Sequence, residues 1–227
     1  MIKLSFHQTS SERMIRAAST VIFDSLASSG CRVAPLSELA SNVQYGYTES
    51  ASLSDVGPKF VRITDLKAGH IVWETVPHCK CPNPEKYLLQ TNDLLFARTG
   101  ATTGKTLLVK NPPMAVFASY LIRVSPKVGI MPEYLYAFFQ SDSYWVQIVE
   151  NKEGSAQPNV NGRKLLSVNV PIVEQQIQQG IAEFLRIVQA RQKGDHKPLP
   201  ALPMPLQKVG RIVSLIEKAD RASQLQL

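Results

Sequence analysis

A chain of 227 residues and 25.1 kDa, 44% hydrophobic and 19% charged, has the composition of a folded globular protein large enough to bury a core without staples. No apolar run reaches the roughly 18–20 residues of a membrane span, Met1–Ser10 lacks the apolar stretch of a secretory signal, and three cysteines, Cys31, Cys79 and Cys81, are too few for a disulfide framework, so a reducing cytoplasm is the expected compartment. The net charge of +7, with a pI near 9.4, permits a polyanionic partner without identifying one.

In chain order, residues 11–29 read as a helix with Met14, Ala18, Val21, Ile22 and Leu26 as its apolar stripe and Gly30 as its stop. Glycine and proline then punctuate short β-rich runs at 59–64, 71–76, 93–98, 106–110 and 116–124. Pro132 opens a helix marked by Leu135, Phe138, Phe139, Val146 and Val149 and broken near 141–143; a strand is expected over 165–171. From Glu174 to about Gln192, Ile177, Ile181, Phe184, Leu185 and Val188 share one helical face. A Pro-rich linker over 193–205 leads to a last amphipathic helix from Leu206, with Val209, Ile212, Val213 and Ile216 on its apolar side. Pro171 and Pro205 each precede a helix, a weak internal repeat that two unrelated helix starts would equally give.

The positive charge is concentrated. Between Asp93 and Glu133 there is no acidic residue, while Arg98, Lys105, Lys110, Arg123 and Lys127 alternate with Thr99, Thr102, Thr103, Thr106 and Ser119. Hydroxyls, glycine amides and Arg or Lys are the groups that hold phosphate oxygens; a solvated basic face accounts for the charge alone. A second basic pair, Arg163 and Lys164, follows the polar loop 154–162, which carries Gln157, Asn159 and Asn161. Asn and Gln pair bidentately with adenine and Arg with guanine, and the same loop composition suits an ordinary capped connection.

Several motifs fail on spacing. Gly100-Ala101-Thr102-Thr103-Gly104-Lys105-Thr106 has three residues between its glycines where a phosphate-binding P-loop has four, and it leads into strand-like Thr106–Val109 rather than a helix. It reads instead as a glycine-hinged turn between two strands, presenting Thr and Lys outward. Asn111-Pro112-Pro113-Met114 is similar to the Asn-Pro-Pro-aromatic element of adenine methyltransferases but lacks the ring that stacks on a flipped base. His78-Cys79-Lys80-Cys81, with His70 nearby, has Cys-x-Cys spacing and no second pair, which argues against structural zinc. No catalytic residue, metal or cofactor is assigned.

Two stretches carry a specific resemblance. Asp93–Lys105, and then Gly154–Asn161 with Leu165 and Val170-Pro171-Ile172-Val173-Glu174-Gln175-Gln176, lie about fifty residues apart; in that order they resemble the target recognition domain of the specificity (S) subunit of type I restriction–modification systems. Tyr45-Gly46-Tyr47-Thr48 is similar to a common opening of that domain. The resemblance covers roughly residues 33–192 and implies an α+β fold: a mixed β-rich globular recognition domain over 31–173, flanked by amphipathic spacer helices at 1–30 and 174–227. It implies a non-enzymatic protein that reads double-stranded DNA and docks a methyltransferase (M) subunit, which a restriction (R) subunit joins indirectly, with no membrane association.

A full S subunit has two such domains, so this chain resembles a half subunit completed by a homodimer mate or a second half subunit, or a piece of a longer chain. Its last helix stops early for a long spacer helix and opens with Lys208-Val209 where the family tends to have Glu-Gln. The expected DNA contacts are Gln44, Tyr45, Tyr47, Thr48, Arg62, Arg98, Thr99, Thr102, Thr103, Lys105, Arg123, Gln157, Asn159, Asn161, Arg163 and Lys164. Motif residues such as Gly100, Gly104 and Gln157 are expected mainly to shape loops, with base discrimination in less motif-like segments near 45–54, 62–69 and 78–86. The expected subunit interface is Ile177, Ile181, Leu185 and Val188 with Val209, Ile212 and Ile216. The alternative function is a scaffold or assembly regulator that binds the M subunit without reading DNA.

Overall fold

Helix α1 runs Ser10–Ser28 and ends where Gly30 takes a positive φ of 73°. The structure, a computed structural model, describes residues 10–66, 70–149 and 159–191. Ile15, Ala18, Ile22, Phe23 and Leu26 form the buried face of α1, following the helical period, while Val21 points out. The chain then forms β1 (Val33–Pro35), a single-turn α2 (Leu36–Leu39) and β2 (Ala40–Tyr45). Strand β3 (Lys59–Val61) follows, then β4 (Leu94–Ala97), β5 (Thr106–Leu108), β6 (Ala115–Phe117) and β7 (Leu121–Pro126). Helices α3 (Pro132–Phe138) and α4 (Asp142–Val149), the short α5 (Gly162–Leu166), β8 (Asn169–Pro171) and α6 (Gln175–Arg191) complete the described chain.

The central sheet has the order β2-β7-β4-β5, all antiparallel. Strand β1 pairs antiparallel with β8, and β3 pairs parallel with β6. Strand β4 is buried on both faces, which explains its unbroken apolar run. Leu94 and Phe96 face the helices, and Leu95 faces a second cluster with Val61, Leu89, Leu107, Phe117 and Leu121. At about 1.5–3 kcal/mol for each large side chain removed from water, this strand is among the main contributors to stability. Over the helix-side face, Phe96 meets Phe139 edge-on with centroids 4.8 Å apart, and Phe23 meets Tyr134 at 5.4 Å. Arg16 of α1 bonds Asp142 at the start of α4, and the Asp142 amide donates to Thr20 Oγ1 at 2.9 Å.

Sequence expectations change in three ways: in what the α6 stripe and the flanking helices pack against, in a strand that does not form, and in runs that divide. The stripe expected at a subunit interface is spent inside the chain: Ile181, Leu185 and Val188 are buried in the same cluster as α1 and α3, and Ile177 packs against it. The α6 helix finds its partner in α1 and α3, so this stripe offers no free apolar face. Val209, Ile212 and Ile216, with the linker 193–205 and the helix from Leu206, lie outside the described residues. The boundaries expected near residues 30 and 173 cut through one continuous core, because α1, α6 and the helix side of the sheet share it.

Second, residues 71–76 form no strand. Trp73–Thr75 is a 3₁₀ turn whose amides bond locally, Thr75 N–H to Val72 O at 3.0 Å and Val76 N–H to Trp73 O at 3.3 Å. Third, the run 165–171 divides into α5 and β8, because Asn161 caps a helix by accepting from the Lys164 amide at 2.9 Å. The run 116–124 likewise breaks at a turn, Leu121 N–H to Ala118 O at 2.8 Å. Among the described residues no helix is long and apolar enough to cross a membrane.

Candidate nucleic-acid interface

The ends of β2, β4 and β7 meet at one rim of the central sheet. Ala97 pairs with Leu121, and Tyr45 pairs with Ile122. One step beyond the ladder, the Arg98 amide donates to Tyr120 O at 3.0 Å, which sets these two residues opposite each other. The Arg98 guanidinium lies over the Tyr45 ring, 5.0 Å from its centroid. Its Nε is buried and unpartnered, and among the described residues its guanidinium makes no ion pair.

The polar loop then joins the rim. Thr99 bridges Asn159, the Val160 amide donates to Arg98 O at 2.9 Å, and the Gly162 amide donates to Tyr45 Oη at 2.9 Å. Gly162 packs close there: a Cβ would stand 3.3 Å from Val43 Cγ1 and 3.5 Å from Tyr45 Oη. Asn159, Asn161 and Arg163 are exposed, and Lys164 Nζ donates to Ile148 O at 2.6 Å. Gln157 lies outside the described residues. The two motif stretches, separated in sequence, are thus hydrogen-bonded neighbours.

The glycine-rich stretch is the expected turn between β4 and β5, with Gly100 at φ 82° and Gly104 at φ 88°. Thr103 Oγ1 donates to Gly100 O at 2.6 Å, and the Lys105 amide donates to Thr102 O at 2.8 Å. Tyr144 Oη donates to Gly104 O at 2.8 Å, which anchors the turn to α4. Gly46 is fixed by crowding, because a Cβ there would lie 2.3 Å from the carbonyl oxygens of both Phe117 and Ala118. This is what brings Tyr47 beside β6, its amide donating to Phe117 O at 2.7 Å and its ring 5.2 Å from that of Tyr87. Thr48 is exposed next to it.

Four expected contacts are engaged by other groups of the chain: partners distant in sequence reach Lys105, Arg123 and Gln44, and a local turn brings Asp65 to Arg62. Lys105 does not point outward: Nζ bonds Glu12 of α1 at 2.6 Å, with the two side chains 17% and 16% exposed. Arg123 is 9% exposed, 3.6 Å from Asp93 Oδ2; it donates to Leu88 O at 2.6 Å and to Gln44 Oε1, and stacks over Phe117. Gln44 uses the other end of its amide on Lys86 O at 2.9 Å. Arg62 makes a two-pronged pair with Asp65, both bonds 3.0 Å, which raises its pKa further. Lys110 likewise pairs with Glu133. A stretch without acids in sequence is therefore not without acids in space.

Away from the rim, His78 Nδ1 lies 2.7 Å from Gly57 O and 3.1 Å from Asp55. Cys79 is fully buried, and its thiol is pushed up to about 11, first by burial and then by Cys81 and Glu49. Such a thiol stays protonated at neutral pH and is a poor nucleophile. Tyr120 is the rim residue that sequence reading missed. It is 60% exposed at the β6–β7 turn, and only its proximity to Arg98 across the ladder marks it.

Residues 32–195 match the family described as "Type I restriction modification DNA specificity domain". The type I restriction enzyme EcoKI specificity subunit of Escherichia coli K12 is 27% identical over 161 residues, 66% of this chain and 34% of that protein. Two solved structures share the fold. The HsdS subunit from Thermoanaerobacter tengcongensis has a TM-score of 0.57 at 14% identity, over 92% of this chain and 52% of that one. The type I restriction-modification S subunit from M. genitalium has a TM-score of 0.53 at 12% identity, over 93% and 52%. The chain spans about half the length of these solved relatives and a third of the curated one. With a family match over most of its length and the same mixed helix-and-sheet fold, the chain belongs to the type I restriction modification DNA specificity domain family, whose members recognise DNA and are not enzymes.

Proposed function

We propose that this chain is a sequence-reading module for double-stranded DNA in a type I restriction–modification system, and that it docks a methyltransferase subunit through which a restriction subunit joins. One observation carries this reading. Tyr45, residues 97–104, residues 118–120 and residues 159–163 meet at one rim of the sheet, joined by hydrogen bonds, and Arg98 there makes no ion pair among the described residues. A rim of Arg98, Arg163, Thr99 and Thr102 suits phosphate oxygens, and Asn159, Asn161, Tyr45, Tyr47 and Thr48 suit base edges. In this reading the chain acts in the cytoplasm, and a homodimer mate or second half subunit supplies the recognition domain for the other half of a two-part target.

The test is selection from a random duplex library by the full chain, alone and with its methyltransferase subunit, followed by fluorescence anisotropy on selected and scrambled duplexes. Enrichment of a defined sequence is expected. Binding to the methyltransferase subunit with no sequence enriched in either arm is the result expected of a scaffold, and it would overturn the reading.

A further inference from the structure

We infer that Tyr120 is a specificity-determining residue, packing its ring against a thymine methyl at a base edge in the DNA groove while Arg98 beside it holds the adjoining phosphate. The inference rests on the DNA-reading function proposed above and adds a residue that the sequence motifs do not contain. An aromatic side chain 60% exposed at the tip of a tight turn is unfavourably placed for stability alone. Its hydroxyl makes no hydrogen bond among the described residues, and its ring joins no aromatic pair there.

The position is nevertheless held firmly. The Tyr120 carbonyl accepts from the Arg98 amide at 3.0 Å, the Leu121 amide closes the turn on Ala118 O at 2.8 Å, and the Ser119 amide donates to Tyr47 O at 2.8 Å. Three strands therefore fix the backbone under a side chain that touches little. Cross-strand register sets Tyr120 opposite Arg98, whose guanidinium carbon lies 5.0 Å from the centroid of the Tyr45 ring. An exposed ring and, opposite it, an arginine that makes no ion pair among the described residues match the apolar-plus-cation chemistry of a contact in a DNA groove.

The experiment measures anisotropy on the selected duplex and its scramble, at several salt concentrations, for the full-length wild type, Tyr120→Ala, Tyr120→Phe and Arg98→Ala. Circular dichroism melting checks each fold. Tyr120→Ala is expected to lose about tenfold or more in affinity for the selected duplex, with little change on the scramble and an unchanged salt slope. Tyr120→Phe should keep most of the affinity, and Arg98→Ala should weaken binding to both duplexes. If folded Tyr120→Ala binds the selected duplex as well as wild type while Arg98→Ala is weakened, the Tyr120 assignment fails and the DNA reading stands. If Tyr120→Ala weakens both duplexes equally, the residue contributes no specificity and the assignment fails. If the wild type binds neither duplex, with or without the methyltransferase subunit, the DNA reading itself fails.

Discussion

Arg98 and Arg123 stand on neighbouring strands of one sheet, in one stretch free of acids, and meet opposite fates. Arg123 faces the second apolar cluster, where Asp93, Leu88 O and Gln44 surround its terminal nitrogens, although its Nε, like that of Arg98, is buried without a hydrogen-bond partner. Arg98 lies past the end of the ladder on the other face, with a tyrosine ring beneath it and no carboxylate paired to it among the described residues. The difference arises from alternation along the strands: Arg123 sits opposite Leu95, and Arg98 follows Ala97 at the rim. Sequence charge density thus overstates a binding face, and only cations left unmatched after folding attract a polyanion.

The largest test of this contrast is stability. Arg123→Ala would leave Asp93, which is 4% exposed, as a buried carboxylate without its cation, and should cost about 3–5 kcal/mol by urea unfolding. Arg98→Ala removes a half-buried stacking contact and strands no carboxylate, so it should cost only about 1 kcal/mol. Equal costs would erase the distinction. Lys105 sharpens it on the other side: Lys105→Ala should lower stability by about 1 kcal/mol, through the loss of its bond to Glu12, and leave the salt dependence of DNA binding as in wild type. A reduced salt slope would return Lys105 to the DNA surface.

A pH-dependent effect concerns a buried neutral group. The folded Cys79 thiol titrates near 11 against an ordinary 9.0, so between those values the unfolded chain releases a proton that the folded chain keeps. The stability term is whole below pH 9 and declines as pH rises toward 11. Urea midpoints should therefore fall less steeply over that window in Cys79→Ala than in wild type, and parallel slopes would contradict the burial of this thiol.

Local periodicity and punctuation made much of the fold legible. The stripes of α1 and α6, the break between α3 and α4 and the glycine turn after β4 all depend on neighbours in sequence. What escaped depends on distant partners. Strands β1 and β2 are short or mixed in polarity and exist through pairing with β8 and β7. The α6 stripe announced a buried face but not whose core would bury it. The two motif stretches marked the right rim, whereas Glu12, Asp93 and Asp65 became partners of Lys105, Arg123 and Arg62 only through folding or a local turn. Tyr120 carries no sequence signal at all; its register opposite Arg98 is what singles it out.

The most direct test is the salt dependence of DNA binding by Arg98→Ala/Arg163→Ala, measured by anisotropy on the selected duplex. If these two are rim cations that hold phosphates, the slope of log affinity against log salt should shallow by about 2 while the fold melts as wild type does. An unchanged slope and affinity in the folded double variant would contradict the account and send the DNA surface elsewhere on the domain.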